Sequence, residues 1–192
     1  MPERFLAIPR RSRPVTEGAK PYLDSMSETV NWKVIYTASR QEKKVVDLLE
    51  KYHVKHFLPL VKKLRVWSDR KKWVEMPLFN GYVFVQPEPA MRDKVLEIPG
   101  VVKYLKYNGA DAAVSDKEIS TIQDLLTHGY HLEAAGAGTL RKGDKVRIDQ
   151  GPLKGIEAEV LKDADGNNTV LIAFETISQV VKVSIPGHYI KI

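Results

Sequence analysis

The chain has no cysteine among its 192 residues. Disulfide scaffolds, thiolate metal sites and cysteine nucleophiles are therefore excluded. No apolar run reaches the ~18 residues that a membrane helix needs. Arg4, Arg10, Arg11 and Arg13 have no apolar core after them, so they do not read as a secretory signal, and a cytoplasmic protein is expected. A Gly-rich phosphate loop is missing, as is a serine in a nucleophile elbow. His128 and His131 are spaced like metal ligands but have no third ligand nearby, so solvated histidines are expected. Asp163-Ala164-Asp165-Gly166-Asn167 lacks the Glu that closes a calcium loop and reads as a β-turn. Neither a catalytic constellation nor a metal or cofactor is expected.

What the chain does have is apolar content and a mild excess of positive charge. Hydrophobic residues make up 43%, enough for real cores, and 30 Lys+Arg face 24 Asp+Glu. That balance suits a nucleic-acid neighbour and equally suits an ordinary basic protein.

Residues 1–30 show no sustained periodicity, contain Pro2, Pro9, Pro14 and Pro21, and are expected to be a disordered extension. Met26 offers an alternative start. Residues 31–127 then alternate strands and helices. Trp32–Thr37 reads as a strand. Ser39 followed by Glu42 reads as a capping box, with Val45, Leu48, Leu49 and Tyr52 as the apolar stripe of a helix. His56–Leu60 and Lys62–Val66 look like strands, the first bent or at an edge because of Pro59. A polar tip at 68–72 turns the chain back through Trp73 and Val74. Tyr82–Val85 is strand-like, Met91–Glu97 a short helix, and Val101–Tyr107 a strand closed by Asn108-Gly109. Ser115 and Glu118 form a second capping box before a stripe of Ile119, Ile122 and Leu126. The expected architecture is an α+β sandwich, helices against an antiparallel sheet.

Residues 128–140 are rich in Gly and Ala and read as a flexible linker. From 141 to 192, five short strands (145–148, 156–161, 169–174, 180–184 and 189–192) are separated by turn signals and read as a small five-stranded β-barrel.

Gly143-Asp144-Lys145-Val146-Arg147-Ile148 followed by Gly151-Pro152-Leu153-Lys154-Gly155 resembles the KOW motif. Gly151 and Gly155 suit a tight turn between two strands. Trp32–Tyr36, the helix after it, the basic hairpin, Pro77-Leu78-Phe79 to Val85, Ile98-Pro99-Gly100-Val101 and Ser115–Glu118 follow in the order of the NusG N-terminal domain. The resemblance covers residues 32–192. Val66–Arg70 and Val74–Phe79 are most similar to the specialised RfaH-like and UpxY-like antiterminators, which serve long polysaccharide operons.

The resemblance implies a non-enzymatic transcription elongation and antitermination factor. Its N-terminal domain would dock an apolar concavity on the clamp helices of RNA polymerase. The matching positions are Val34, Tyr36, Phe79, Tyr82 and Phe84, for which sheet core is the competing reading. A second contact, to the gate loop, maps near Met91, Arg92 and Asp93, where the RfaH-like His-Thr-Thr run is missing. Bridging both sides of the channel would hold the clamp closed and suppress pausing. Arg40, Lys43, Lys44 and Lys51 on the helix, with Arg70, Lys71 and Lys72 on the hairpin, either face DNA at the upstream fork or form solvated charged surfaces. The KOW unit would recruit a ribosomal protein or the Rho terminator; its β-branched strands favour the β form over a helical hairpin. The competing class is an RNA-binding or ribosome-associated KOW protein, which leaves the N-terminal domain unexplained.

Overall fold

The computed structural model describes residues 31–66, 68–136, 144–162, 168–185 and 189–191. The expected extension at 1–30, the alternative start, Trp67, Gly143 and the turns at 163–167 and 186–188 lie outside the described residues.

Strand β1 (Trp32–Thr37) is the centre of the first sheet. It runs antiparallel to β5 (Tyr82–Gln86) on one flank and to β6 (Val101–Tyr104) and β9 (Ala113–Val114) on the other. Strand β2 (Lys55–Phe57) pairs with β5 at the outer edge. Pro59 lies just beyond it, as its missing N–H requires, and its carbonyl accepts from the Leu78 N–H at 2.8 Å.

Successive strand residues face opposite sides of a sheet. Ile35, Val83 and Val85 therefore share one side, where they form a buried cluster with Val45 and Leu49 of α1 (Glu42–Lys51) and Val95 of α2 (Arg92–Leu96). Trp32, Val34 and Phe84 share the other, with Ile119, Ile122 and Leu125 of α3 (Asp116–Thr127). The Trp32 Nε1–H donates to Asp116 Oδ1 at 2.8 Å, tying strand to helix. Strands β3 (Leu60–Val66) and β4 (Lys71–Pro77) form a separate two-stranded arm. Strands β7 (Lys106–Tyr107) and β8 (Ala110–Asp111) form a hairpin whose Asn108 and Gly109 have φ of 50° and 84°, the positive pair that a type I′ turn demands.

The five strands expected at the C-terminal end are present as β11 (Asp144–Ile148), β12 (Glu157–Lys162), β13 (Asn168–Phe174), β14 (Gln179–Ile185) and β15 (Ile190–Lys191). Among the described residues they do not form a closed five-stranded barrel. Strand β10 (Leu132–Gly136), in the segment expected to be linker, pairs with β14 and makes a sixth strand. The sheet runs β10-β14-β13-β12-β11-β15, and β10 and β15 do not pair among the described residues. Leu-Glu-Ala-Ala-Gly has little strand propensity of its own; five residue pairs along β14 supply the order instead.

Both helices after β1 and β9 form; the second starts as expected and the first does not, and each packs slightly differently from expectation. Ser115 makes the full capping box: its Oγ accepts from the Glu118 N–H, and Glu118 accepts from the Ser115 N–H. Ser39 does not. Helix α1 begins at Glu42 with Gln41 before it and no side-chain cap. The Glu42 carboxylate is buried and accepts from the Gly81 N–H at 2.8 Å, so the carboxylate that the Ser39–Glu42 spacing assigns to its own helix end serves a turn 39 residues away. Tyr52 stands exposed past the end of α1, and in α3 Leu125 is fully buried while Leu126 is only partly so.

Candidate functional site

The apolar face of the first sheet gathers four of the five residues expected to dock a partner, and the fifth lies beside them. Register places Val34 opposite Phe84 and Tyr36 opposite Tyr82. Phe79, in the turn before β5, sits edge-on to Phe84 with ring centroids 6.1 Å apart. The rings of Tyr36 and Tyr82 meet edge-on at 5.8 Å. Gly81 fixes this arrangement. Its φ is +79°, and a Cβ there would lie 2.9 Å from Tyr36 Cε2, so only glycine lets the backbone pass beneath the ring. Glu42 holds the Gly81 N–H from the far side of the sheet.

The five residues differ in access. Val34, Phe79 and Phe84 are buried, Tyr82 is half-buried, and Tyr36 is 40% exposed. The cover over Phe79 comes partly from the C-terminal unit, whose Phe174 meets it edge-on at 6.1 Å. The same buried cluster continues through Val146, Val170, Ile172 and Val181. Thr176 Oγ1 donates to Glu118 Oε1 at 3.3 Å, joining the second unit to the start of α3. The sequence does not mark out Phe174, because an apolar residue at a strand end gives no sign of which unit it covers.

Met91, Arg92 and Asp93 lie at the start of α2, after a 3-10 turn over Pro89–Met91. Met91 packs against the α1 side of the sheet. The Arg92 guanidinium donates to Asp111 Oδ2 from Nε at 2.9 Å and from a terminal nitrogen at 2.6 Å, and to Asp93 Oδ1 at 2.8 Å. Burial pushes the Asp111 carboxyl up, but hydrogen bonds from Lys106 and Arg92 outweigh it and hold it below the usual carboxylate value. The hydrogen bond to Asp111 raises Arg92 in turn. The Tyr104 hydroxyl, pushed up to about 12 mainly by burial, donates to the Arg92 carbonyl. Arg92 thus clamps α2 to the β7–β8 hairpin, a role that its neighbours in sequence could not show.

The basic residues fall into two groups. Arg40, Lys43, Lys44 and Lys51 are exposed on and before α1, the helix that packs on the opposite side of the sheet from the aromatic cluster. Arg70, Lys71 and Lys72 are exposed at the end of the arm, with Arg70 3.9 Å from Asp69. The arm also exposes Leu64, Val66 and Trp73, none of which was expected at a site. Their signal is the alternation of the two strands, legible once the register is known.

In the C-terminal unit, Gly151 has φ of +77°, and a Cβ on it would lie 2.5 Å from the Tyr189 ring. Gly155 also has a positive φ, Val146 is buried and Pro152 is exposed. Asp144 begins β11. The turn thus needs its glycines at the positions expected. His128 Nδ1 lies 2.8 Å from the Asp124 carbonyl. Among the described residues no cluster of three His, Asp or Glu could hold a metal ion, and no helix is long and apolar enough to cross a membrane.

Residues 30–123 match the family model described as transcription termination factor nusG. That span takes in β1 through most of α3. Among solved structures, one reported under the heading of domain interaction in Thermotoga maritima NusG superposes with a TM-score of 0.51 at 22% identity, covering 84% of this chain and 96% of that one. The likeness is one of fold: antiparallel sheets with few helices. The MjSpt4:Spt5 complex in conformation B covers 83% of this chain and 95% of its own at 20% identity, with a TM-score of only 0.29.

Proposed function

We propose that this chain, which carries a NusG-family domain over residues 30–123, is a transcription elongation and antitermination factor that binds RNA polymerase, acting without catalysis. The carrying observation is the aromatic face of the first sheet, where Tyr36 and Tyr82 form an accessible rim around buried Val34, Phe79 and Phe84. A helical element of the polymerase laid on such a face gains affinity from buried apolar area. The face is partly covered by the chain's own C-terminal unit through Phe174. Full docking therefore requires that unit to move aside, a population shift driven by the polymerase's preference for the open form. The freed unit is then available to a ribosomal protein or Rho. Holding the clamp closed suppresses pausing, and the sequence likeness of 66–79 to specialised antiterminators points to long polysaccharide operons. The basic residues of α1 and the arm face DNA at the upstream fork in this reading.

The test is transcription by purified RNA polymerase through a pause site and a terminator. The chain increases readthrough, and Tyr82→Ala reduces the effect while leaving the fold intact, since Tyr82 is only half-buried. Undiminished readthrough by a folded Tyr82→Ala variant removes the docking assignment. Association with ribosomes and none with polymerase favours the RNA-binding class instead.

A further inference from the structure

Beside the aromatic face, three separate elements bound a cavity of about 360 Å³. Strand β3 lines it with Lys63 and Arg65, the end of β4 and the turn after it with Met76, Leu78 and Asn80, and β10 with Ala134. Cross-strand register puts Lys63, Arg65 and Met76 on one face of the arm, with Val61 opposite Met76, Lys63 opposite Val74 and Arg65 opposite Lys72. Val61 and Ala134 both pack against the buried cluster that runs through the two units, so this is the face turned towards β10. It carries no carboxylate, because Glu75 pairs with Lys62 on the other face. Among the described residues no ion pair engages Lys63 or Arg65. The Arg65 guanidinium instead donates to Met76 Sδ at 3.5 Å, which lays it along the cavity wall.

We infer that this cavity binds a nucleoside diphosphate and that the bound ligand holds the C-terminal unit over the aromatic face. Lys63 and Arg65 are two positions apart on one strand, about 7 Å along it, so their long side chains reach one diphosphate group together. A guanidinium grips phosphate oxygens in a bidentate fork, and an ammonium adds a point charge. The floor is apolar. The Met76 thioether and buried Leu78 suit the face of a base, and the exposed Asn80 amide offers its edge a donor and an acceptor. Inorganic phosphate leaves that floor unused. Ligand pockets run from ~300 to ~1,000 Å³, and a cavity at the small end of that range suits one nucleotide and not a strand. The wall supplied by Ala134 belongs to the unit that docking displaces, so the ligand favours the covered form over the open one. By linkage it then opposes polymerase binding, and polymerase opposes the ligand.

The binding half of this inference is independent of the proposed function, and the regulatory half rests on it. The experiment is calorimetric titration of the full chain with ADP and GDP, with pyrophosphate and adenosine as comparisons. Both nucleotides are expected to bind, pyrophosphate about tenfold more weakly for want of a base on the thioether floor, and adenosine not measurably. Lys63 and Arg65 are exposed, so Lys63→Gln and Arg65→Gln keep the fold. Each is expected to weaken ADP about tenfold, as loss of a charge-assisted hydrogen bond does. Bound ADP slows amide hydrogen exchange at Leu132–Gly136, the strand that supplies the third wall. Saturating ADP also lowers the affinity of purified RNA polymerase for the chain by about fivefold or more, and this effect is lost in Arg65→Gln. Absence of ADP binding, or binding that ignores both substitutions, overturns the site. Pyrophosphate bound as tightly as ADP overturns the nucleoside assignment. Unchanged exchange at Leu132–Gly136 with ADP bound overturns the hold on the C-terminal unit, and polymerase affinity indifferent to ADP overturns the linkage. Slowed exchange in a chain that polymerase never binds supports the site and sinks the docking reading instead.

Discussion

The two faces of the first sheet are made from alternate residues of the same strands, yet they are closed in different ways. Ile35, Val83 and Val85 are covered by α1 and α2, all within residues 31–127. Val34 and Phe84, one position along, are covered by α3 and, through Phe79, by Phe174 of the second unit. The first face is closed by its own unit. The second is closed partly by residues beyond 143, which the proposed docking requires to move aside. Burial alone therefore does not separate core from docking surface; which part of the chain does the burying is the informative observation.

The largest effect that sharpens this contrast is core truncation read in two contexts. Leu49→Ala is expected to cost ~2–5 kcal/mol both in the full chain and in an isolated 31–128 fragment, because every neighbour of Leu49 in its cluster is kept. Phe79→Ala costs ~3–5 kcal/mol in the full chain but less in the fragment, which lacks Phe174. Urea denaturation measures both. Equal losses for Phe79→Ala in the two contexts would break the contrast.

A smaller effect tests the link between the faces. Glu42 starts the helix on one face, and its buried carboxylate holds Gly81 beneath the Tyr36 ring on the other. Glu42→Ala strands the Gly81 N–H and is expected to cost ~1–3 kcal/mol, with Glu42→Gln recovering most of it through its amide oxygen. A matching change in Tyr36 chemical shifts would show that the loss reaches the aromatic rim. A shift confined to α1 would uncouple the two faces.

The smallest effect is pH dependence on the α1 side. The Asp111 carboxyl is held below its ordinary value of 3.8 by Lys106 and Arg92. Its contribution is therefore complete above that value and lost as pH falls through the lower folded value. Asp111→Asn should remove this acid-side loss from a denaturation series between neutral and strongly acid pH. An unchanged slope would mean that the clamp between α2 and the β7–β8 hairpin adds nothing to stability.

Much of the chain order is legible in the sequence because the determining signals are local. Asn108-Gly109 specifies its own turn, Ser115 and Glu118 cap their own helix, and the five C-terminal strands carry alternating residues between turn residues. What escapes depends on partners distant in sequence. Glu42 looks like half of a capping box, but its partner is Gly81. Leu132–Gly136 looks like linker, but β14 orders it. Type and place in the sequence are enough to put Val34, Tyr36, Tyr82 and Phe84 on one sheet face, while the cover that Phe174 gives Phe79 depends on a partner distant in sequence. Trp73 reads as the start of a return strand, and only the register with Leu64 sets it on an apolar face.

The aromatic face as a polymerase site that the C-terminal unit covers is the central claim. The most direct measurement is the affinity of purified RNA polymerase for the full chain and for the isolated 31–128 fragment, each with and without Tyr82→Ala. The fragment is predicted to bind at least as tightly as the full chain, because no cover has to be displaced, and Tyr82→Ala to weaken both. Binding that requires the C-terminal unit and ignores Tyr82 would contradict the claim.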